Sequence, residues 1–134
     1  GLIKHNCVPN KTLALQFPDI PSDIVRHYIR GYFDGDGCVS KGKEHKNGNC
    51  VIHVIFTSGS PDFLFSMKNI LAESLSIESV TFYKQKKCNA YHLTVGKREY
   101  INNLYHYMYD EATIWMERKR EKYEELLKRN GLLI

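Results

Sequence analysis

Hydrophobic residues recur every three or four positions in four stretches of the chain, which is the spacing of one face of an α-helix. The first stretch follows Pro21, with Ser22 as the predicted N-cap and with Gly35 and Gly37 as the predicted end in a tight turn. The second follows Ser60, which is also a predicted cap. The predicted helices cover residues 22–35, 61–75, 97–108 and 112–127.

Extended runs fill the spaces between these helices. Two runs between residues 38 and 58 flank the turn signal Asn47-Gly48, and two more between 79 and 95 flank a predicted turn at 87–89. The order α-β-β-α-β-β-α-α, with hairpins between helices, is typical of an α+β domain. We therefore expect a four-stranded antiparallel sheet with helices on one face, and a second face that is left uncovered.

The uncovered face is predicted to be polar, aromatic and basic. In the run Cys50–Ser58, alternation places Ile52, Val54 and Phe56 towards the helices and the residues between them outward. Such a face suits the groove of double-stranded DNA, although a merely solvated sheet has a similar composition. Basic residues also cluster at 41–46, 84–87 and 118–122, and these clusters could join the face in one binding surface. The predicted DNA contacts, on this face and in these clusters, are Ser40, Lys41, Lys43, His53, Thr57, Thr81, Tyr83, Gln85, Lys87, His92, Thr94, Arg118 and Lys122.

The composition is that of an ordinary globular domain and does not by itself indicate a function. The 134 residues fit one domain at 21–134 after a connector or arm at 1–20. The net charge of +4 is compatible with nucleic acid but is weak evidence for it. The four cysteines lack zinc-ligand spacing and are interpreted as reduced, mostly buried thiols. Because neither a membrane-length apolar run nor a signal peptide is visible, a cytoplasmic location is expected.

The candidate chemistry lies in Ile29–Gly37, which reads IRGYFDGDG. Gly31 and Gly35 are four residues apart, so one side of the helix lacks side chains and another helix could approach closely. Asp36 follows the helix beside Gly37, where a carboxylate is poorly placed for a core and well placed for a hard cation such as Mg²⁺. The alternative is an Asp-Gly turn without chemistry.

This stretch resembles the LAGLIDADG motif of homing endonucleases, with Gly31, Asp34, Asp36 and Gly37 at the defining positions. The preceding helix residues, DIVRHYIRGYFDGDG, resemble one subgroup of that family. The similarity continues through TSGS and through IWMERKREKYEEL, and it extends from residue 18 to residue 127.

The resemblance implies a site-specific, double-stranded DNA endonuclease of homing type, carried by an intron or phage mobile element. In the family, the final acidic residue of the motif holds Mg²⁺ (or Mn²⁺) beside the scissile phosphate. Carried over to this chain, it makes Asp36 the catalytic metal ligand, Gly35 a second metal-binding residue, and Lys119 a catalytic candidate. Asp34 is implied to be structural, contacting the helix end or a partner helix. Thr57 and Ser58 stand where some relatives have a longer amide, which leaves the water-positioning role open.

One motif is present, and the resemblance implies that two are needed. The partner is either a second copy, in a homodimer that reads a roughly palindromic site, or another repeat of a longer parent chain. A non-cleaving DNA-binding regulator or RNA maturase of the same fold is the alternative function, and the retained Asp36 favours the enzyme. An endonuclease domain borne by an intein is disfavoured, since no splicing signature is visible.

Overall fold

The computed structural model describes residues 18–85 and 90–132, and these form helices and strands in the predicted order. The predicted connector and the turn at 87–89 lie outside the described residues, apart from 18–20, where Ile20 packs against the core. The helices are α1 (Ser22–Asp36), α2 (Pro61–Leu75), α3 (Arg98–Tyr109) and α4 (Glu117–Arg129), and the strands are β1 (Gly37–Glu44), β2 (Cys50–Ser58), β3 (Thr81–Lys84) and β4 (Tyr91–Val95).

The four strands form one antiparallel sheet in the order β1-β2-β4-β3. Burial alternates along β2: Ile52, Val54 and Phe56 are at most 5% exposed, and the residues between them are half-buried. All four helices pack against the buried face of the sheet. The prediction of an α+β fold with helices on one face is therefore confirmed.

Phe33 joins three elements of the core. Its side chain is fully buried on α1. Its ring lies edge-on to Phe56 of β2 and to Tyr123 of α4, with ring centroids 5.9 Å apart in both pairs. Because such pairs add to the energy of burial, the last turn of α1 is held firmly against both the sheet and α4.

The predicted helix starts are partly correct. Ser60 caps α2 as expected, since its hydroxyl accepts a hydrogen bond of 3.2 Å from the backbone N–H of Phe63. Ser22 is not the cap of α1. Ser22 is already helical, and the carbonyl of Pro21 accepts the first two backbone bonds, from Ile24 and Val25.

The helix α4 begins at Glu117, not near residue 112 as the hydrophobic spacing predicts. The backbone before it bonds to α1 instead. The Arg30 guanidinium donates to the carbonyl of Ile114 (2.9 Å), and the N–H of Met116 donates to the carboxylate of Asp34 (2.9 Å). These bonds across the fold hold an irregular segment where the local pattern predicts helix.

The predicted glycine turn after α1 is absent. Helix α1 continues through Asp36, and Gly37 is the first residue of β1, with an extended φ of −101°. A side chain at Gly37 would place its Cβ 2.6 Å from the Phe33 ring, so glycine is needed there for close approach. The helix therefore passes directly into the strand.

Two of the four cysteines lie in the described residues, and both are free thiols. Cys50 is buried as expected, but Cys38 is exposed because it points to the uncovered face of the sheet. Cys7 and Cys88 lie outside the described residues. Within residues 18–85 and 90–132, no helix has the length and apolar character that crossing a membrane requires.

Candidate active site and nucleic-acid interface

Asp36 occupies the junction between α1 and β1. It is the last residue of the helix, and its side chain is exposed. The next residue, Gly37, is already paired with Phe56 in the sheet. The fold thus holds the carboxylate at the rim of the sheet, where it can be reached from solvent.

Tyr32 lies beside this junction, one turn earlier on α1. Its hydroxyl donates a 2.6 Å hydrogen bond to the backbone carbonyl of Thr57 at the end of β2. Burial, with a smaller contribution from the nearby charge of Asp36, raises the pKa of Tyr32 to about 12, although a hydrogen bond with Ser58 opposes the shift. Tyr32 therefore stays a neutral hydrogen-bond donor that fastens α1 to β2 next to Asp36.

Lys119 lies under the end of α1, where its ammonium donates to three backbone carbonyls. The Nζ atom is 3.0 Å from the oxygen of Phe33, 2.8 Å from that of Asp34 and 2.6 Å from that of Gly37. Burial lowers the pKa of Lys119, while the charges of Asp34 and Asp36 oppose that shift. An ammonium has three N–H donors, so these bonds use all of them. The structure places Lys119 near Asp36 as predicted, but with its donors engaged by the backbone.

Asp34 uses both carboxylate oxygens within its own chain. Oδ1 accepts from the hydroxyl of Tyr109 and Oδ2 from the backbone N–H of Met116, both at 2.9 Å. Burial raises the pKa of Tyr109 well above its ordinary range, and the hydrogen bond to Asp34 adds to the shift. Asp34 therefore joins α1 to the segment between α3 and α4, and its predicted place in a helix pair remains a prediction.

The side of α1 that faces solvent lacks side chains at two positions one turn apart. Gly31 and Gly35 are both exposed, and a Cβ built on either would have no neighbour within 4 Å. Ile24, on the same side two turns before Gly31, is 47% exposed. The predicted stripe of small residues thus lies on an open surface, where a second helix could lie against it.

The strand register gathers most of the predicted DNA contacts on the uncovered sheet face. One row across the sheet joins Tyr83, His92 and Thr57, and a second joins Thr81, Thr94, Ile55 and Cys38. Ser40 and His53 are also paired with each other. Lys87 lies outside the described residues.

His92 is the centre of a hydrogen-bonded group on this face. Its Nδ1 lies 3.0 Å from the hydroxyl of Thr57, and its Nε2 lies 2.9 Å from Oε1 of Gln85. The Tyr83 ring lies against the imidazole, with centroids 5.0 Å apart. Burial lowers the pKa of His92. The group stands in the same row as Thr57, next to the end of α1.

One of the predicted basic contacts, Lys41, does not lie on the uncovered face of the sheet. Lys41 pairs with the buried Ile52 and forms an ion pair with Glu44, which in turn contacts Arg129 of α4. It therefore points to the helix side of the sheet, as does Val39 two residues earlier, which pairs with the buried Val54. A β-bulge follows between residues 41 and 44. The bulge sets Gly42 and Lys43 together opposite Val51.

Arg118 and Lys122 are exposed on the first two turns of α4. Arg118 is close enough to Lys119 to affect its pKa. The charge of Arg118 therefore lies near the end of α1, and Lys122 follows one turn later on α4.

Sequence reasoning missed two residues of this region. Tyr32 was assigned only to the hydrophobic face of α1, since its phenol bond to β2 is a tertiary contact. Cys38 was grouped with buried thiols, although its two-residue spacing from Ser40 gives it the outward direction. Among the described residues, no three histidine, cysteine or carboxylate side chains come together as a metal cluster.

The lowered pKa of His92 makes a test by pH possible. The pKa of His92 in the unfolded chain is the ordinary histidine value of 6.5, and in the folded protein it is lower. As the pH falls, the unfolded chain therefore takes up a proton at this ring at a higher pH than the folded protein does. Stability should therefore fall as the pH falls from 6.5 towards the lower value of the folded state. Thermal unfolding followed by circular dichroism should show a smaller loss of Tm between about pH 7.5 and pH 5 for His92→Gln than for the wild type. The exposed His45→Gln is the control, and equal losses in all three proteins would contradict the assignment.

Comparisons with known proteins agree with this geometry. A family model described as a LAGLIDADG-like domain matches residues 23–108. No curated protein sequence matches the chain. The homing endonuclease I-CvuI, in complex with the I-CreI target in the presence of Mg, superposes with a TM-score of 0.62 at 13% identity, over 83% of this chain and 69% of that chain. Its complex with its own target in the presence of Ca gives 0.61 at 13% identity, with the same coverage. The homing endonuclease I-TnaI gives 0.56 at 14% identity, over 83% of this chain and 71% of that chain.

At this low identity the solved structures show the fold, which is that of the LAGLIDADG homing endonucleases. The family model adds the evidence of sequence, because it spans well over half of the chain and includes α1 from its second residue, Asp23, to its end at Asp36. The chain therefore belongs to the LAGLIDADG family.

Proposed function

We propose that the protein is a homing-type endonuclease that hydrolyses phosphodiesters of double-stranded DNA with the help of a divalent metal ion. The observation that carries the proposal is the exposed carboxylate of Asp36, held at the junction of α1 with the sheet inside the family motif. Two of the similar solved structures are complexes of I-CvuI with target DNA. A regulator or maturase that does not cleave has no need of an acidic group at this point.

The residues at the end of α1 fit a hard cation. Asp36 supplies a carboxylate, and Gly35 supplies a backbone carbonyl in the last turn of the helix, where such groups have no partner within the helix. Oxygen ligands of this kind suit Mg²⁺ or Mn²⁺, which retain water and use substrate phosphates for the rest of the shell. When bound, the metal would activate water and neutralise charge on the leaving oxygen.

The uncovered sheet face is the proposed DNA-binding surface. Its hydroxyl and imidazole groups stand in cross-strand rows, one across β3, β4 and β2 and the other across all four strands, and the amide of Gln85 lies beside His92. Such groups can bond to base edges in the major groove, while exposed Arg118 and Lys122 can contact phosphates. Since Thr57 and His92 lie next to the end of α1, DNA on this face would bring its backbone to Asp36.

The proposed partner is a second LAGLIDADG repeat lying against the open side of α1. Gly31 and Gly35 would let the two helices approach closely and bring two copies of Asp36 together. The second repeat is either a second copy of this chain or another repeat of a longer parent chain. A homodimer would read a roughly palindromic site, because its two halves are related by twofold symmetry.

Substitution of Asp36 tests the proposed activity. A duplex that the wild type cleaves is first selected from a randomised DNA pool in Mg²⁺. Asp36→Asn should then cleave it at least about a hundredfold more slowly, because loss of the metal ligand removes several kcal/mol of transition-state stabilisation. Its DNA affinity in Ca²⁺ should stay close to that of the wild type.

The matched control is Asp23→Asn, which changes an exposed aspartate at the other end of the same helix. Cleavage by Asp36→Asn at the rate of the control would contradict the catalytic assignment. A wild-type protein that binds selected duplexes but never cleaves them would support the non-cleaving regulator instead.

Substitution of Gly31 tests the proposed partner surface. Because a side chain there meets nothing within its own chain, Gly31→Leu should fold with stability equal to or above that of the wild type. In sedimentation experiments the wild type should have about twice the chain mass of 15.6 kDa, and the variant should be a monomer. Glu73→Leu, on the exposed side of α2, controls for a new surface leucine. A dimeric Gly31→Leu protein would contradict this surface, and a monomeric wild type would exclude the homodimer.

A further inference from the structure

The end of α1 and the start of α4 hold each other by side chains that reach in opposite directions. From α1, the carboxylate of Asp34 accepts from the backbone N–H of Met116, just before α4. From α4, the ammonium of Lys119 reaches back to the carbonyls of Phe33, Asp34 and Gly37. We call this arrangement the clasp. It encloses the backbone on both sides of Asp36.

The position of Lys119 suits the end of a helix. The carbonyls of Phe33 and Asp34 belong to the last turn of α1, where the helix end carries partial negative charge. The carbonyl of Phe33 also accepts from the backbone N–H of Gly37. The carbonyl of Gly37 belongs to β1. One ammonium therefore joins the last turn of the helix to the first residue of the strand, at the place where no loop separates them.

The groups around the Lys119 ammonium hold it at the end of α1. Its Nζ atom lies 5.7 Å from the centre of the buried Phe33 ring, and the side chain is half-buried. To reach a phosphate, Lys119 would have to release three carbonyls, each of which would lose its charged donor. Arg118 and Lys122, which are exposed on either side of it, can reach DNA without such a loss.

We propose that Lys119 is a positioning residue: by gathering the carbonyls of Phe33, Asp34 and Gly37, it fixes the direction of the Asp36 carboxylate and does not itself contact DNA. This inference rests on the proposed function of Asp36. It replaces the expectation that Lys119 takes part directly in catalysis. In other metalloproteins, residues that hydrogen-bond to the metal ligands without binding the metal have a comparable role. Their removal lowers metal affinity or activity tenfold to a hundredfold.

Two substitutions separate positioning from direct contact. Lys119→Met removes the charge and keeps a long apolar chain. Lys119→Arg keeps a charge that could still contact phosphate, but a planar guanidinium cannot donate to three carbonyls that converge on one atom. For both variants we expect the Mg²⁺ concentration for half-maximal cleavage to rise about tenfold or more, with DNA affinity in Ca²⁺ within about twofold of the wild type. A role in folding alone would not change the Mg²⁺ dependence well below the Tm.

The control is Lys128→Met, an exposed lysine of the last turn of α4, which should behave as the wild type. Restoration of the wild-type rate and Mg²⁺ dependence by Lys119→Arg would overturn the proposal, because charge alone would then suffice. So would a large loss of DNA affinity in Lys119→Met.

A measurement on the wild-type protein covers the case in which these variants fail to fold. In a nitrogen-15 NMR spectrum of the lysine ammonium groups, the Lys119 signal should stay in place when the selected duplex is added in Ca²⁺. A Lys119 signal that moves with DNA would show direct contact and overturn the proposal.

The cleavage experiments separate this inference from the proposed function. If the wild type cleaves no DNA, the proposed function fails as well. If Asp36→Asn loses cleavage while Lys119→Arg retains the wild-type rate, only the inference about Lys119 fails.

Discussion

The direct passage of α1 into β1 is the constraint on which the rest of the fold depends. No loop separates Asp36 from Gly37, so the helix axis and the first strand must meet at a fixed place. That place is set by the buried Phe33, which packs between β2 and α4 and leaves room only for glycine at residue 37. The fold therefore uses a fully buried aromatic contact of its core to hold an exposed carboxylate.

The neighbourhood of Asp36 is ordered by hydrogen bonds that do not involve Asp36. Tyr32 bonds to β2, Asp34 bonds to the segment before α4, and Lys119 bonds to the backbone on both sides. A site that is arranged in advance loses less free energy when metal and DNA bind. The open side of α1 and the uncovered face of the sheet meet at this same corner, so a partner helix and a DNA duplex could both reach it.

Patterns within a few residues of the sequence correctly predicted the buried face of the sheet and the start of α2. The alternation of Ile52, Val54 and Phe56 indicated which face of the sheet is buried, and Ser60 indicated the start of α2. The motif indicated Asp36 by resemblance, and its exposure at the end of the helix follows from the chain itself. These features depend on neighbours within a few residues, which a sequence displays directly.

Features that depend on distant residues could not be predicted in this way. The start of α4 is displaced because Asp34, 82 positions away, takes the N–H of Met116. The ion pairs of Glu44 join Lys41 of β1 to Arg129 at the other end of the domain, a contact that the strand pattern does not display. The three carbonyls that engage Lys119 are likewise more than eighty positions away, so its basic character suggested a role towards phosphate rather than towards the backbone.

The metal-binding role of Asp36 is the central claim, and Mn²⁺ can test it without a known DNA target. Mn²⁺ broadens NMR signals near its site even when binding is weak and the ion is far below the protein concentration. Titrated into the nitrogen-15-labelled chain, it should first broaden the backbone amides of residues 35–37, and Asp36→Asn should lose this effect. The competing site is the acidic pair on α4, where a hydrogen bond from Glu117 raises the pKa of Glu121. Broadening that begins at this pair, or that is unchanged in Asp36→Asn, would contradict the account.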